Sequence, residues 1–294
     1  MTLQHPLIIN VAPTGMVPTT ADNPAVPVAP ERIAADCAAC RAAGGSIFHL
    51  HARDVDESPT YRSSVYGQII KAVRSRCPDA IICVSTSGRT HGAFEQRSEV
   101  LDLDGEAKPE MASLTLGSMN FPSQASINDP AMIKRLAERM IDRAIVPELE
   151  VFDLGMLDYA RYLIERKVLV EPFYFNLLLG SLGTLSASPL HLALLVAALP
   201  ANSTWAAAGI GRFQFSMNSL AVTMGGHVRV GLEDNLYEDA GKLRSATNRG
   251  LVERISRLAV AVERRVATPD EARSIIGLPA RTARKAEAAR LQQA

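Results

Sequence analysis

The chain has no surplus of charge of either sign: 31 lysines and arginines stand against 31 aspartates and glutamates in 294 residues. Nucleic-acid readers concentrate basic side chains and solvating tails concentrate acidic ones, so neither class is expected. No apolar run is long enough for a bilayer either. The longest, residues 190–199, is about half of the roughly 20 residues that a spanning helix needs, and reads as a buried helix. The opening Met1-Thr2-Leu3-Gln4-His5-Pro6 lacks the basic start and apolar segment of a secretory signal, so a cytoplasmic protein is expected. Cysteine is scarce, and its four copies fit a reducing compartment. Cys37 and Cys40 have C-x-x-C spacing, but no second pair follows and both fall in an Ala-rich helical pattern, where they read as small packing residues. Cys77 precedes a proline and Cys83 falls in an apolar strand pattern; neither is given a catalytic role.

What is present is a globular balance, 47% hydrophobic and 21% charged, with ample core. Short apolar runs alternate with helical patterns along the chain. Strands are expected over residues 7–12, around His49, over 80–85, 111–116, 148–153, 173–178 and 203–208, and around Arg229. Helices are expected over 30–43, 63–75, 95–103, 130–144, 157–166, 189–199, 217–224 and 248–264. This alternation without a composition break points to the α/β class and a (β/α)8 TIM barrel, a single catalytic domain over residues 1–278. A doubly wound open sheet is the alternative. Thr268 and Pro269 suit the start of a further helix, and residues 279–294 read as a polar helical tail.

Two stretches carry the chemistry. In Ser46-Ile47-Phe48-His49-Leu50-His51-Ala52-Arg53-Asp54 the period is two, so Phe48 and Leu50 face one way and His49, His51 and Arg53 the other. Two imidazoles on one face of a strand can reach a common divalent ion, and a carboxylate as third ligand makes an open catalytic zinc site. Standing alone, the pair reads more readily as two hydrogen-bonded structural histidines, and a second stretch far down the chain reverses the balance. In His227-Val228-Arg229-Val230-Gly231-Leu232-Glu233-Asp234-Asn235, the apolar Val228, Val230 and Leu232 alternate against His227, Arg229 and Glu233. Helices cover the outside of a barrel, so this polar set must point into its mouth. The same mouth would gather the hydroxyl-rich end of strand three, Ser85-Thr86-Ser87, then Ser113 and Thr115 from strand four and Glu150 from strand five. Gly209-Ile210-Gly211-Arg212 after strand seven suits phosphate held by backbone N–H groups, and equally a plain tight turn.

These residues also carry a resemblance. The series His49-Leu50-His51-Ala52-Arg53-Asp54, Lys108-Pro109-Glu110-Met111-Ala112-Ser113-Leu114 with Gly117-Ser118-Met119-Asn120-Phe121, Pro147-Glu148-Leu149-Glu150-Val151-Phe152-Asp153 and Arg229-Val230-Gly231-Leu232-Glu233-Asp234-Asn235 resembles the β-keto acid cleavage enzymes over residues 7–278. The resemblance implies a zinc-dependent barrel, often tetrameric, that reacts a β-keto acid with acetyl-CoA to give acetoacetate and a new acyl-CoA. It implies that His49, His51 and Glu233 hold the metal, that Asp234 is the base, and that Arg229 positions and polarises it. Ser85, Ser87, Ser113 and a strand-five glutamate, Glu150 or else Glu148, would line the substrate pocket; the turn after strand seven separately offers Gly209, Gly211 and Arg212 as CoA contacts. Chemistry agrees with those residue types, since a dication chelated by ketone and carboxylate oxygens acidifies C2 for a carboxylate base.

One departure bears on the substrate. Where members of the family that take an amino-bearing acid have a glutamate, this chain has Val17 after Thr14-Gly15, which implies an uncharged or apolar tail. Arg89 is either an acceptor for an anionic tail or a solvated loop arginine. Two other functions use the same ligands: a metal-dependent C–C hydrolase or aldolase without CoA, and a non-catalytic metal-binding protein.

Overall fold

The computed structural model describes residues 5–280; the expected tail lies outside them from residue 281 onward. Eight parallel strands form at Ile9–Val11, Ile47–Leu50, Ile81–Val84, Met111–Thr115, Val146–Val151, Phe173–Leu179, Ser203–Gly209 and His227–Val230. Each pairs with its neighbours in the chain, and the first also pairs with the eighth through Ile9↔Val228, Asn10↔Arg229 and Val11↔Val230. That last pairing closes the barrel and removes the open-sheet alternative.

Helices α1 (Pro30–Ala43), α2 (Ser63–Arg76), α3 (Phe94–Ser98, continued by the 3-10 turn Glu99–Asp102), α4 (Pro130–Asp142), α5 (Leu154–Glu165), α6 (Pro189–Ala197), α7 (Gln214–Thr223) and α8 (Asn248–Ala261) follow the strands in turn. Their starts are written locally. Asp129, Asp153, Ser188 and Thr247 each accept a hydrogen bond from a first-turn N–H, a cap worth about 1 kcal/mol. Proline opens α1, α4 and α6, where its missing N–H costs nothing. A small hairpin, Met119–Asn120 with Ala125–Ser126, is invisible in the sequence because two-residue strands are too short to alternate.

Inside the barrel, side chains are sorted by depth. Ile8, Ile47, Ile81, Met111, Tyr174 and Ala206 make a fully buried apolar floor, and α9 (Pro269–Ile276) closes the end beneath it with Ala272 and Ile276. One pleat higher, Asn10, His49, Glu148, Asn176 and Arg229 point inward, none more than 1% exposed. Polar groups buried this deeply must be paired or they cost several kcal/mol. Their partners define the site.

Two expectations about packing resolve here. Cys37 and Cys40 are buried in α1, and neither joins a group of metal-ligating side chains among the described residues. The 190–199 run is not a buried helix. In α6, Leu192 and Leu195 are buried while Leu190 and Leu194 are 66% and 43% exposed, because a barrel helix covers the sheet with one face only. No helix among the described residues is long and apolar enough to cross a membrane.

Candidate active site

His49 and His51 leave the second strand on its inward face, and their Nε2 atoms stand 3.2 Å apart. Glu233 Oε1 is 3.2 Å from His51 Nε2, and one ligand atom from each of the three residues lies within 4.8 Å of the others. Glu233 does not reach the site by strand alternation. The eighth strand ends at Val230, and Gly231, at φ +154°, turns the chain; a Cβ there would lie 2.1 Å from the Ala12 carbonyl oxygen, so only glycine fits. Gly15, at φ +69°, seats the carboxylate from the other side, its missing Cβ being only 2.6 Å from Glu233 Cγ.

Beneath the triad, Glu148 fixes His49. Its Oε2 lies 2.6 Å from His49 Nδ1, while Oε1 accepts from Asn10 Nδ2 at 2.6 Å and Asn176 Nδ2 at 3.1 Å. With the proton on Nδ1, the His49 Nε2 lone pair faces the triad. Burial pulls the His49 pKa down, but the Glu148 carboxylate more than offsets this and the net shift is upward. At His51 burial prevails over the pull of Glu233, and the imidazole is held neutral, as a ligand must be. Cys83 Sγ is 3.4 Å from Glu148 Oε2. Burial pushes its thiol well above the usual range, so Cys83 keeps its proton and donates a hydrogen bond to Glu148.

Arg229 ties the acids together. Its Nε and Nη2 grip Asp234 Oδ2 and Oδ1 at 2.9 and 3.2 Å, Nη2 also donates to Glu233 Oε1 at 2.7 Å, and Nη1 donates to Glu150 Oε1 at 3.2 Å. Burial alone would lower the guanidinium pKa; the acids around it, Asp234 and Glu233 foremost, drive it well up instead. Burial raises Asp234 above the ordinary aspartate value, against the pull of Arg229. Glu150 is raised for the same reason and holds the Thr115 hydroxyl at 2.7 Å.

The donor set fits a divalent cation. Four carboxylates, Glu148, Glu150, Glu233 and Asp234, lie within 4.0 Å of a single guanidinium. Glu233 Oε2 is buried without a partner, although a carboxylate oxygen in this setting calls for a cation or a donor. Two imidazoles and a carboxylate are the ligands of a catalytic zinc site that keeps a position open. Above the triad lies a cavity of about 320 Å³, which Asp234, Glu150, Thr115 and Ser85 enter from the polar side. Met16, Val17, Phe121, Phe152, Leu178 and Ile210 supply its apolar wall.

A profile of the family described as beta-keto acid cleavage enzyme matches residues 6–278. The chain belongs to this family. Among its relatives within the beta-keto acid cleavage enzymes, it is 42% identical over 277 residues to the 3-keto-5-aminohexanoate cleavage enzyme of Fusobacterium nucleatum, covering 94% of this chain and 99% of the other. It is 36% identical to the 3-oxoadipate:acetyl-CoA acetyltransferase of Cupriavidus necator, covering 94% and 96%. Among solved structures, apo ObcA superposes with a TM-score of 0.76 at 23% identity, over 87% of this chain and 66% of that longer one, a likeness of fold.

For this beta-keto acid cleavage enzyme, the positions proposed from sequence divide in three. The structure brings His49, His51, Glu233, Asp234, Arg229, Glu150, Ser85, Ser87 and Val17 around one cavity. Ser113 and Glu148 share the inward face but sit one pleat too deep to line it; Ser113 Oγ accepts from Thr86 N–H at 3.1 Å, and Thr115 is the strand-four hydroxyl at the cavity. The Gly209–Arg212 turn offers little to a phosphate. The Gly211 N–H is spent on the Asp234 carbonyl at 2.7 Å, the Gly209 Cα packs against the Phe213 carbonyl, and the exposed Arg212 lies over the Phe213 ring. Thr115 is where the sequence expects it, at the mouth, whereas Asn10, Asn176 and Cys83 are site residues that sequence reasoning missed, although inward parity on the first, sixth and third strands marks them.

Proposed function

We propose that this enzyme reacts a β-keto acid with acetyl-CoA by Claisen and retro-Claisen chemistry, releasing acetoacetate and a new acyl-CoA, with zinc as the resident metal. The observation that supports it is the meeting, on one cavity wall, of the His49, His51 and Glu233 donors with an Asp234 carboxylate held in the fork of Arg229. A divalent ion held by those three residues would act as a Lewis acid toward the oxygens of the keto acid.

The protein's own groups account for the rest. Asp234 takes the C2 proton; its burial keeps it more basic than an ordinary aspartate, and the two bonds from Arg229 fix its orientation. Arg229, charged and surrounded, offsets negative charge as the thioester carbonyl is attacked. Ser85 offers a hydroxyl donor to the cavity, while the Thr115 hydroxyl is given to Glu150. Val17 and its apolar neighbours meet the substrate tail, which favours an uncharged, apolar segment there and disfavours an ammonium group. A cytoplasmic homotetramer completes the reading, with light scattering as the check on subunit number.

The deciding assay screens β-keto acids with the zinc-loaded enzyme, with and without acetyl-CoA, reading acetoacetate by mass spectrometry. Acetoacetate that appears only with acetyl-CoA and is abolished by chelation is the expected result. Carbon–carbon cleavage without the thioester would replace this reading with a hydrolase or aldolase.

A further inference from the structure

Three of the buried arginines among the described residues spend their guanidinium donors on protein acceptors. Arg53 donates to the carbonyls of Gly15, Pro18 and Glu57, Arg97 to those of Thr86 and Ile127 and to Asn128 Oδ1, and Arg264 to those of His5, Val222 and Gly226. Arg89 follows the turn at the end of the third strand and lines the cavity above the triad. Its Nε is buried without an acceptor, and no carboxylate among the described residues comes within ion-pair distance of it. Stacking holds it instead: the guanidinium carbon lies 3.5 Å from the centroid of the Phe121 ring, which meets Phe152 edge-on at 6.0 Å. A guanidinium lying on a ring is attracted through its face and keeps its N–H donors in its own plane, free for a ligand.

We propose that Arg89 binds the substrate tail, and that the substrate is a β-keto acid bearing a second carboxylate at the far end of an apolar spacer. This rests on the reaction proposed above and adds the tail chemistry to it. The apolar spacer suits Val17, Met16 and Leu178, and the terminal carboxylate suits the planar fork of Arg89, which matches a carboxylate with two parallel hydrogen bonds. In place of the wholly uncharged tail expected from Val17 alone, valine would meet the spacer and Arg89 the terminus. The diphosphate of CoA is the other anion that enters the mouth. It is distinguished below.

The test compares kcat/KM for a linear β-keto dicarboxylate with that for a neutral β-keto acid of equal length, using the zinc-loaded full chain. The expected preference for the dicarboxylate is about 10- to 100-fold, the size of a charge-assisted hydrogen-bonded pair. In Arg89→Gln that ratio should collapse by at least about tenfold, and Arg89→Lys should recover part of it. An unchanged ratio in Arg89→Gln overturns the proposal, and a raised KM for acetyl-CoA with an unchanged ratio assigns Arg89 to the CoA phosphates. If no β-keto acid turns over, the reaction reading fails, and calorimetry decides the arginine separately with a saturated linear dicarboxylate against the matching monocarboxylate. Dicarboxylate binding that is about tenfold tighter and lost in Arg89→Gln supports the site; equal binding of both overturns it.

Discussion

Replacing Glu148 by glutamine should cripple the proposed metal site without touching any of the three proposed ligands. The carboxylate takes donors on both oxygens, His49 Nδ1 and the Cys83 thiol on Oε2, Asn10 and Asn176 on Oε1. A glutamine has one acceptor. If its oxygen serves His49, its NH2 group confronts the two asparagine NH2 groups, and relief requires both asparagines to turn their amides over. If the amide is reversed, its NH2 faces His49 Nδ1 and favours the tautomer with the proton on Nε2, where the ligand lone pair must be. Loss of such an orienting carboxylate weakens a metal by about 10- to 100-fold, or about 1.4–2.7 kcal/mol. A buried donor left unmet costs the fold a further 1–3 kcal/mol or so. Competition against a fluorescent zinc indicator gives the first quantity, and melting of the metal-free protein gives the second. A Glu148→Gln protein that is folded and binds zinc within about twofold of the parent would refute the claim that Glu148 sets the His49 tautomer.

Arg229→Lys keeps the charge but loses the fork that grips Asp234, so kcat should fall by about 10²- to 10³-fold with zinc content retained; near-parental steady-state turnover would count against the arginine's role. His227 is buried with Nδ1 accepting from the Ile8 N–H, and burial followed by the nearby Arg264 charge presses its pKa down to about 3. Because the unfolded histidine titrates near 6.5, its contribution is fully present above about pH 6.5 and is lost as pH falls toward 3, a few kcal/mol that urea titrations across this window should show and that His227→Gln should remove. Gly231→Ala forces a Cβ against the Ala12 carbonyl at a φ of +154°, which should cost about 3 kcal/mol or more and displace Glu233; unchanged stability and zinc affinity would show that the turn can relax.

The sequence shows which way a side chain faces far better than how deep it lies. Period two correctly sends His49, His51, Glu150 and Arg229 inward, and the alternation of strands and helices is enough for the barrel. Ser113 and Thr115 have the same parity, as do Glu148 and Glu150, yet in each pair only the second reaches the cavity. Residues two apart on a strand differ by roughly 6.6 Å in height, and which of them stands level with a neighbour's ligand depends on the stagger of the closed sheet. Here that stagger sets Glu148 opposite Ser113 and Tyr174, and Glu150 opposite Thr115 and Asn176. Glu233 was legible as a residue and illegible as geometry, since it arrives through a glycine turn that no alternation describes. Arg89, on a loop, has no period to read.

Depth also separates the tasks of chemically similar groups. Of the four acids around Arg229, Glu148 lies under the triad and is held well below the usual carboxylate range: burial would raise it, but His49 and Arg229 outweigh that. Glu150 and Asp234 face the cavity and are raised, because burial there is not fully answered by the one guanidinium they share. The lower carboxylate is therefore an anion that orients His49, and an upper one is placed to exchange a proton. Arg229 spans both levels, with Nη1 4.0 Å from Glu148 and 3.2 Å from Glu150 while Nε holds Asp234. A single buried cation thus links the orientation of the candidate metal ligands to the basicity of the proposed base, Asp234.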